Sequence, residues 1–197
     1  LCGLYTPDTG KIAIGGADSA DTEPDTLYAK TSAVFQDYAC YGGLTLRENV
    51  QISDTAHPKD AEPFMRQAGC QESLLDPEKM DTMMGRSFDG LELSGGQWQR
   101  IAMARGLYRD SDFILLDEPT ASIDPLEETR IYKMFASVAK EKTCVLITHR
   151  LGSARIADRI LVMDAGHLVE SGTHEELLQK HGLYHEMWVS AAEQYVG

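Results

Sequence analysis

The chain has 197 residues with a formal net charge of -13, and 43% of its residues are apolar. This length is enough for one domain with a hydrophobic core, and the composition excludes a disordered or collagen-like chain. A strong negative charge repels phosphate backbones, so nucleic acid is excluded as an expected partner.

Cysteine content and hydropathy indicate the redox compartment of the protein and whether the chain crosses a membrane. The four cysteines form no C-x-x-C pair and are too few for a disulfide framework, which favours a reducing compartment. The longest aliphatic stretches are strand-sized, whereas a bilayer span needs about 18 apolar residues. The chain is therefore not expected to cross a membrane. Its first residue is Leu rather than Met, and we expect it to start inside a longer protein.

The first elements are predicted to be short. A turn over residues 5–10 precedes a strand over residues 11–14. The acid-rich stretch 18–25 is interpreted as a solvated loop rather than a cation site, because its spacing matches no calcium loop. An apolar run over residues 33–35 predicts the next strand, which ends at Gln36.

A helical subdomain is predicted within an α/β core. Residues 44–92 are polar, acidic and punctuated by proline, with helix-like apolar spacing in short pieces and no sustained strand alternation. We therefore assign residues 39–106 to an inserted helical subdomain. Residues 1–38 and 107–197 are assigned to the α/β core of the same single domain.

The pentapeptide Leu93-Ser94-Gly95-Gly96-Gln97 predicts the start of a helix. Ser94 with Gln97 three residues later is a capping-box pattern, and apolar residues recur at helical spacing after it. Two glycines in the first turn leave backbone N–H groups uncovered, so an anion can approach the positive end of the helix dipole. The alternative is an ordinary helix cap without a ligand.

Two apolar runs and the helix between them predict parallel strands. Residues 113–116 form the first run, and Pro125 then opens a helix of about four turns. The second run, residues 144–147, completes a crossover unit, whose strands are parallel. Beyond it, residues 160–163 and 167–169 predict a hairpin, and a further capping box begins at Thr173.

Polar residues directly follow these two predicted strands. Asp117 and Glu118 come after the first run, and His149 follows the second. In an open parallel sheet, ligands bind beyond the carboxyl ends of the strands. Two adjacent carboxylates there suit phosphoryl transfer, because one can hold Mg²⁺ while the other orients or deprotonates the attacking water. The alternative is that they merely cap the next turn.

Five segments, taken in order, carry the strongest signal in the chain. They are residues 34–37 (VFQD), 93–97 (LSGGQ), 113–118 (FILLDE), 119–124 (PTASID) and 148–150 (THR). These segments resemble the Q-loop, the signature, the Walker B strand with its catalytic glutamate, the D-loop and the switch histidine of ATP-binding cassette (ABC) transporters. The resemblance covers essentially the whole chain. It implies a P-loop NTPase-like α/β fold, with a mostly parallel sheet core and an inserted α-helical subdomain.

The resemblance implies catalytic roles for four residues. Asp117 would hold Mg²⁺ through water, and Glu118 would be the general base for the water that attacks ATP. His149 would contact the γ-phosphate. Gln36 would sense Mg²⁺ and the attacking water while facing a transmembrane partner.

The signature implies a second ATPase domain as a partner. In this family Ser94, Gly95, Gly96 and Gln97 would close on ATP held by the other domain, and Asp124 would report across the interface. The expected arrangement is a head-to-tail pair, either a homodimer or a heterodimer, with ATP at the interface.

Shorter segments indicate which type of ABC transporter the chain resembles. Residues 45–50, 91–92 and 172–177 are similar to exporter-type domains, in which the membrane and ATPase parts share one polypeptide, and Trp98-Gln99 resembles bacterial peptide and bacteriocin exporters. The implied protein is the motor of a membrane exporter on the cytoplasmic face of a bacterial cell membrane. It would meet the membrane only through its transmembrane domains.

The chain departs from the family at the Walker A loop, G-x-x-x-x-G-K-[ST], which cradles the phosphates. Its only Gly-Lys pair, Gly10-Lys11, is followed by Ile12 and does not match. We expect the loop to lie upstream, so this chain alone would bind ATP poorly and hydrolyse almost none.

Two other functional classes are alternatives to the exporter motor. A soluble ABC ATPase of translation or DNA repair would carry tandem cassettes or long insertions and a basic surface, which this sequence lacks. A purely structural, regulatory half is the third interpretation. The intact Glu118, His149 and signature residues argue against it.

Overall fold

The computed structural model describes residues 2–3, 5–120 and 125–194. The chain divides into two compact units, residues 1–147 and residues 148–197, and each is described by itself. The described elements of the first unit are β1 (Ala13–Ile14), β2 (Ala17–Asp18), α1 (Pro24–Leu27), β3 (Thr31–Val34), α2 (Leu46–Gln51), α3 (Glu62–Gln67), α4 (Pro77–Met80), α5 (Gly95–Tyr108), β4 (Phe113–Asp117), α6 (Pro125–Val138) and β5 (Thr143–Ile147).

A parallel sheet forms the α/β part of the first unit. Its strands lie in the order β3, β4, β5, and both neighbouring pairs are parallel. Helix α6 connects β4 to β5 and buries Ile131, Phe135 and Val138, which recur at helical spacing. The predicted crossover unit and the predicted α/β fold with a parallel sheet are confirmed.

Helix α5 lies at the centre of the hydrophobic core of this unit. It packs against α2, α3 and β3, and residues on several of its faces are fully buried, among them Ile101, Met103 and Ala104. Close approach to β3 requires glycine at position 106, because a Cβ there would lie 2.6 Å from Val34 Cγ2. The signature segment is therefore attached to the buried centre of the unit.

Short helices surround α5 in the region predicted to be helical. Helix α2 begins at a complete capping box, in which Thr45 accepts from the backbone of Glu48 and the Glu48 carboxylate accepts from the backbone of Thr45. The predicted boundaries of the helical subdomain, residues 39 and 106, stay a prediction.

A short hairpin precedes the acid-rich stretch 18–25, and residues 19–23 of that stretch carry neither helix nor strand. Strands β1 and β2 pair in antiparallel register across Gly15 and Gly16, whose φ angles are 58° and 85°. Positive φ at both central residues is what a two-residue hairpin turn of this kind needs, and glycine adopts it without strain. An ion pair of 3.2 Å between Lys11 and Asp18 joins the two arms of this hairpin. The predicted strand over residues 11–14 is correspondingly shorter.

The second unit is a hairpin packed on helices. Its elements are α7 (Leu151–Ala154), β6 (Ile160–Asp164), β7 (His167–Gly172), α8 (His174–Lys180) and α9 (Leu183–Gln194). Strands β6 and β7 pair antiparallel, as predicted, and Thr173 caps α8 with a complete capping box. One face of the hairpin buries Ile160 and Val162, whereas Leu161, Met163 and Leu168 are exposed.

Across the described ranges, no helix has both the length and the apolar character that crossing a bilayer requires.

Candidate functional site

Three predicted site residues lie at one edge of the parallel sheet. Asp117 is the last residue of β4, Glu118 follows it, and Gln36 comes two positions after the end of β3. The register pairs Val34 with Leu116 and Asp117 with Ile147, so the carboxyl ends of the strands are level. The structure therefore brings these three residues to the edge at which parallel sheets bind ligands.

Glu118 has a backbone conformation that is unusual for a glutamate. Its φ angle is 45°, in the left-handed region, which costs a non-glycine residue about 1–2 kcal/mol. Its N–H donates to the carbonyl of Ile147 across 3.0 Å, which ties the strained residue to β5. The extended backbone of β4 thus ends at Asp117, and Glu118 does not continue the strand.

The segment after Glu118 is anchored to helix α6. Pro119 and Thr120 are buried, and the Thr120 hydroxyl lies 2.8 Å from the Tyr132 hydroxyl, at hydrogen-bond distance. The predicted D-loop continues from this anchor. Its residue Asp124, which was expected at the interface with a second domain, lies outside the described residues.

The donor set at the sheet edge fits Mg²⁺. Asp117 is half-buried and supplies hard carboxylate oxygens, and Mg²⁺ typically takes one or two carboxylates together with waters and substrate phosphates. Among the described residues, no group of three or more His, Cys, Asp or Glu side chains is arranged to hold a metal. A Mg²⁺ site of the carboxylate, water and phosphate type does not require such a group.

The signature segment forms the predicted helix start. The Ser94 hydroxyl accepts from the Gln97 N–H at 3.3 Å, and the Gln97 side chain accepts from the Ser94 N–H at 2.9 Å, which completes the capping box. Ser94 and Gly95 are exposed, and Gly96 is half-buried. The first turn of α5 is therefore accessible to an anion at the positive end of the helix dipole.

His149 belongs to the second unit. It is exposed and comes two positions after Ile147, the last residue of β5. Its predicted role at the γ-phosphate stays a prediction.

Sequence reasoning missed the contacts between α5 and the segment after Gln36. Arg105 of α5 donates from Nε to the Asn49 carbonyl at 2.8 Å and from Nη1 to the Ala39 carbonyl at 3.1 Å. Burial lowers the pKa of Arg105 from its ordinary value, and the nearby Tyr41 and Cys40 oppose that shift. A basic residue within an otherwise buried helix is the signal that points to such contacts.

Comparison with known proteins assigns the chain to a family. A family model described as ABC transporter matches residues 1–121. The "Subtilin transport ATP-binding protein SpaT" of Bacillus subtilis is 38% identical over 192 residues, which cover 95% of this chain and 31% of that protein. The "Nisin transport ATP-binding protein NisT" of Lactococcus lactis subsp. lactis is 36% identical over 204 residues, which cover 99% of this chain and 33% of that protein.

A solved structure agrees with the sequence relatives. The structure of a bacterial Atm1-family ABC exporter with ATP bound matches with a TM-score of 0.87 and 34% identity, covering 98% of this chain and 33% of that chain. The chain thus spans about a third of the length of the relatives that it matches. Sequence and fold together show that the chain belongs to the ABC transporter family.

Proposed function

We propose that the chain is the ATP-binding and ATP-hydrolysing motor domain of a membrane exporter. One observation carries the proposal: Asp117 and Glu118 follow a buried parallel strand at the same sheet edge as Gln36. Carboxylates in this position suit phosphoryl transfer to water, which needs neutralised phosphate charge and an oriented nucleophile.

The residues at the sheet edge would divide the chemistry. Asp117, through water, and Gln36 would hold Mg²⁺, which supplies charge neutralisation for the phosphates when it is bound. Glu118 would accept a proton from the attacking water, because its carboxylate belongs to the residue directly after Asp117 at the same sheet edge. His149 would donate to the γ-phosphate and thereby orient it.

The signature helix would act on a second domain. The accessible N-terminus of this helix consists of Ser94, Gly95, Gly96 and Gln97. It lies far along the sequence from the two catalytic carboxylates. An arrangement with two domains head to tail would place each signature on ATP held by the other, with Asp124 at the interface. The accessible first turn of α5 supports this partner.

Transport is supported by the names of the relatives. Two of them are transport proteins for subtilin and nisin, and the matching structure is an ABC exporter. We propose a bacterial exporter with a peptide or bacteriocin-type substrate, whose transmembrane domains hold this motor on the cytoplasmic face of the cell membrane. These names favour the exporter over the soluble ATPase of translation or DNA repair.

The Walker A loop is absent from these 197 residues. The backbone amides and lysine of that loop cradle the phosphates of ATP. We therefore expect the purified chain to give almost no ATP-binding heat in titration calorimetry. Measurable Mg²⁺-dependent hydrolysis by the chain alone would contradict this part of the proposal.

The general base is tested by Glu118→Gln in a polypeptide in which a Walker A loop precedes this chain. Loss of the base should lower the hydrolysis rate about 10²- to 10⁴-fold while ATP binding is kept. Steady-state phosphate release and calorimetry measure the two effects. The matched control is Glu141→Gln, an exposed glutamate after α6, which should leave both unchanged. Hydrolysis at the normal rate in Glu118→Gln would show that the base is assigned to the wrong residue.

A further inference from the structure

The segment after Gln36 runs along the signature helix and is attached to it at both ends. The Tyr38 hydroxyl donates to the carbonyl of Gly95, the first residue of α5, at 2.7 Å. Three turns further along α5, Arg105 donates to the Ala39 carbonyl, and its guanidinium lies 4.7 Å from the centre of the Tyr41 ring. Residues 38–41 are thus held at the start and in the third turn of one helix.

Strand β3 continues this attachment. The Ser32 hydroxyl donates to the Gly106 carbonyl at 2.7 Å, and Val34 packs directly on Gly106. The chain therefore follows α5 from Gly106 back to Gly95, a helical distance of about 16 Å. Gln36 lies between the contact of Val34 and that of Tyr38, so its position is fixed on both sides by α5.

The first turn of α5 needs this support more than the rest of the helix does. Gly95 and Gly96 follow its cap, and glycine has more conformational freedom to lose in a helix than any other residue. The next turns are buried, but Ser94 and Gly95 are exposed. Burial raises the pKa of Tyr38, with Cys40 adding to the shift, so the hydroxyl keeps the proton that it donates.

We propose that Tyr38 is a positioning residue that holds the first turn of the signature helix in register with Gln36. The inference rests on the proposed function, in which Gln36 serves the site of its own chain and the signature serves the site of a second domain. The Tyr38 hydroxyl joins these two parts by one hydrogen bond. A shift of the segment after β3 would then also move Gly95 and Gly96 of the signature.

The first test needs only the chain itself and does not depend on ATP. Tyr38→Phe keeps the ring and removes the hydroxyl. Amide hydrogen exchange should rise about fivefold at Trp98 and Gln99, whose N–H groups close the first turn, because one neutral hydrogen bond is typically worth such a factor. Exchange at residues 101–108 should stay unchanged. Tyr5→Phe is the matched control, because Tyr5 is 88% exposed.

The second test measures hydrolysis in a polypeptide that includes a Walker A loop. Tyr38→Phe should lower kcat about fivefold with KM for ATP unchanged, since the variant alters the position of the signature and not the phosphate loop. Unchanged exchange at Trp98 and Gln99 would overturn the proposal, and so would raised exchange with a normal kcat. Failure of the proposed function itself would appear separately, as normal hydrolysis in Glu118→Gln.

Discussion

The sheet edge and the start of the signature helix reach an accessible surface in different ways. At the edge, Asp117 and Glu118 extend from strand β4, whose residues Ile114, Leu115 and Leu116 are buried. At the helix start, Ser94 and Gly95 are exposed and are held by a capping box and the Tyr38 hydroxyl. Packing of a buried strand therefore supports the first region up to Asp117, whereas the exposed end of the second depends on individual hydrogen bonds. The two regions should respond differently to substitution.

The largest effect is expected at Gly106, where the last turn of the signature helix α5 packs on strand β3 of the sheet. In Gly106→Ala the new Cβ would lie 2.6 Å from Val34 Cγ2. Overpacking in a core costs about 1–3 kcal/mol, against the roughly 1 kcal/mol that alanine gains over glycine in a helix, so a net loss of up to about 2 kcal/mol is expected. The free energy of unfolding, measured in urea, should fall. Gly152→Ala in α7 is the matched control, because nothing lies within 4 Å of the new Cβ and a small gain is expected.

A smaller effect is expected at the cap of the signature helix. Ser94→Ala removes the hydroxyl that accepts from Gln97 and should lower the free energy of unfolding by about 1 kcal/mol. Ser94→Asp keeps a good cap but adds a negative charge where a phosphate would bind. In urea, Ser94→Ala should therefore unfold more easily than the wild type, and Ser94→Asp should unfold nearly like it. ATP hydrolysis in the longer polypeptide should be lost in Ser94→Asp. Equal stability of all three proteins would mean that the cap contributes nothing.

The smallest expected effect is a difference in reactivity between two cysteines, which leaves the fold intact. Burial raises the pKa of the Cys70 thiol to about 12, an effect that Arg100 partly offsets. At pH 8 only about one Cys70 in ten thousand is then a thiolate, the form that reacts with iodoacetamide. Cys40, in the segment along α5, is exposed. Mass spectrometry of the native chain should find Cys40 alkylated well before Cys70, and unfolding in urea should remove the difference.

Local patterns in the sequence predicted several of these features. The capping box at Ser94, strand β4 and the helix that follows Pro125 depend on residues within a few positions of one another, so short-range rules are sufficient. The parallel pairing of β4 and β5 followed from the helix predicted between them, which makes the connection a crossover unit.

Other features depend on distant residues or on backbone angles. Tyr38 and Gly95 are 57 positions apart, and no periodicity in the sequence connects them. The left-handed backbone of Glu118 is held by the carbonyl of Ile147, which belongs to another strand. The β1–β2 hairpin turns at Gly15 and Gly16, directly ahead of the acid-rich stretch, and these paired glycines are the local signal for its turn.

The outer face of the β6–β7 hairpin has a consequence for handling the protein. Leu161, Met163 and Leu168 are exposed there, and exposed apolar strands favour association between molecules. The net charge of -13 opposes that association by mutual repulsion. Salt shortens the range of this repulsion to about 10 Å at 0.1 M and about 3 Å at 1 M. The purified chain should therefore be most soluble in low-salt buffer and should precipitate as the ionic strength rises.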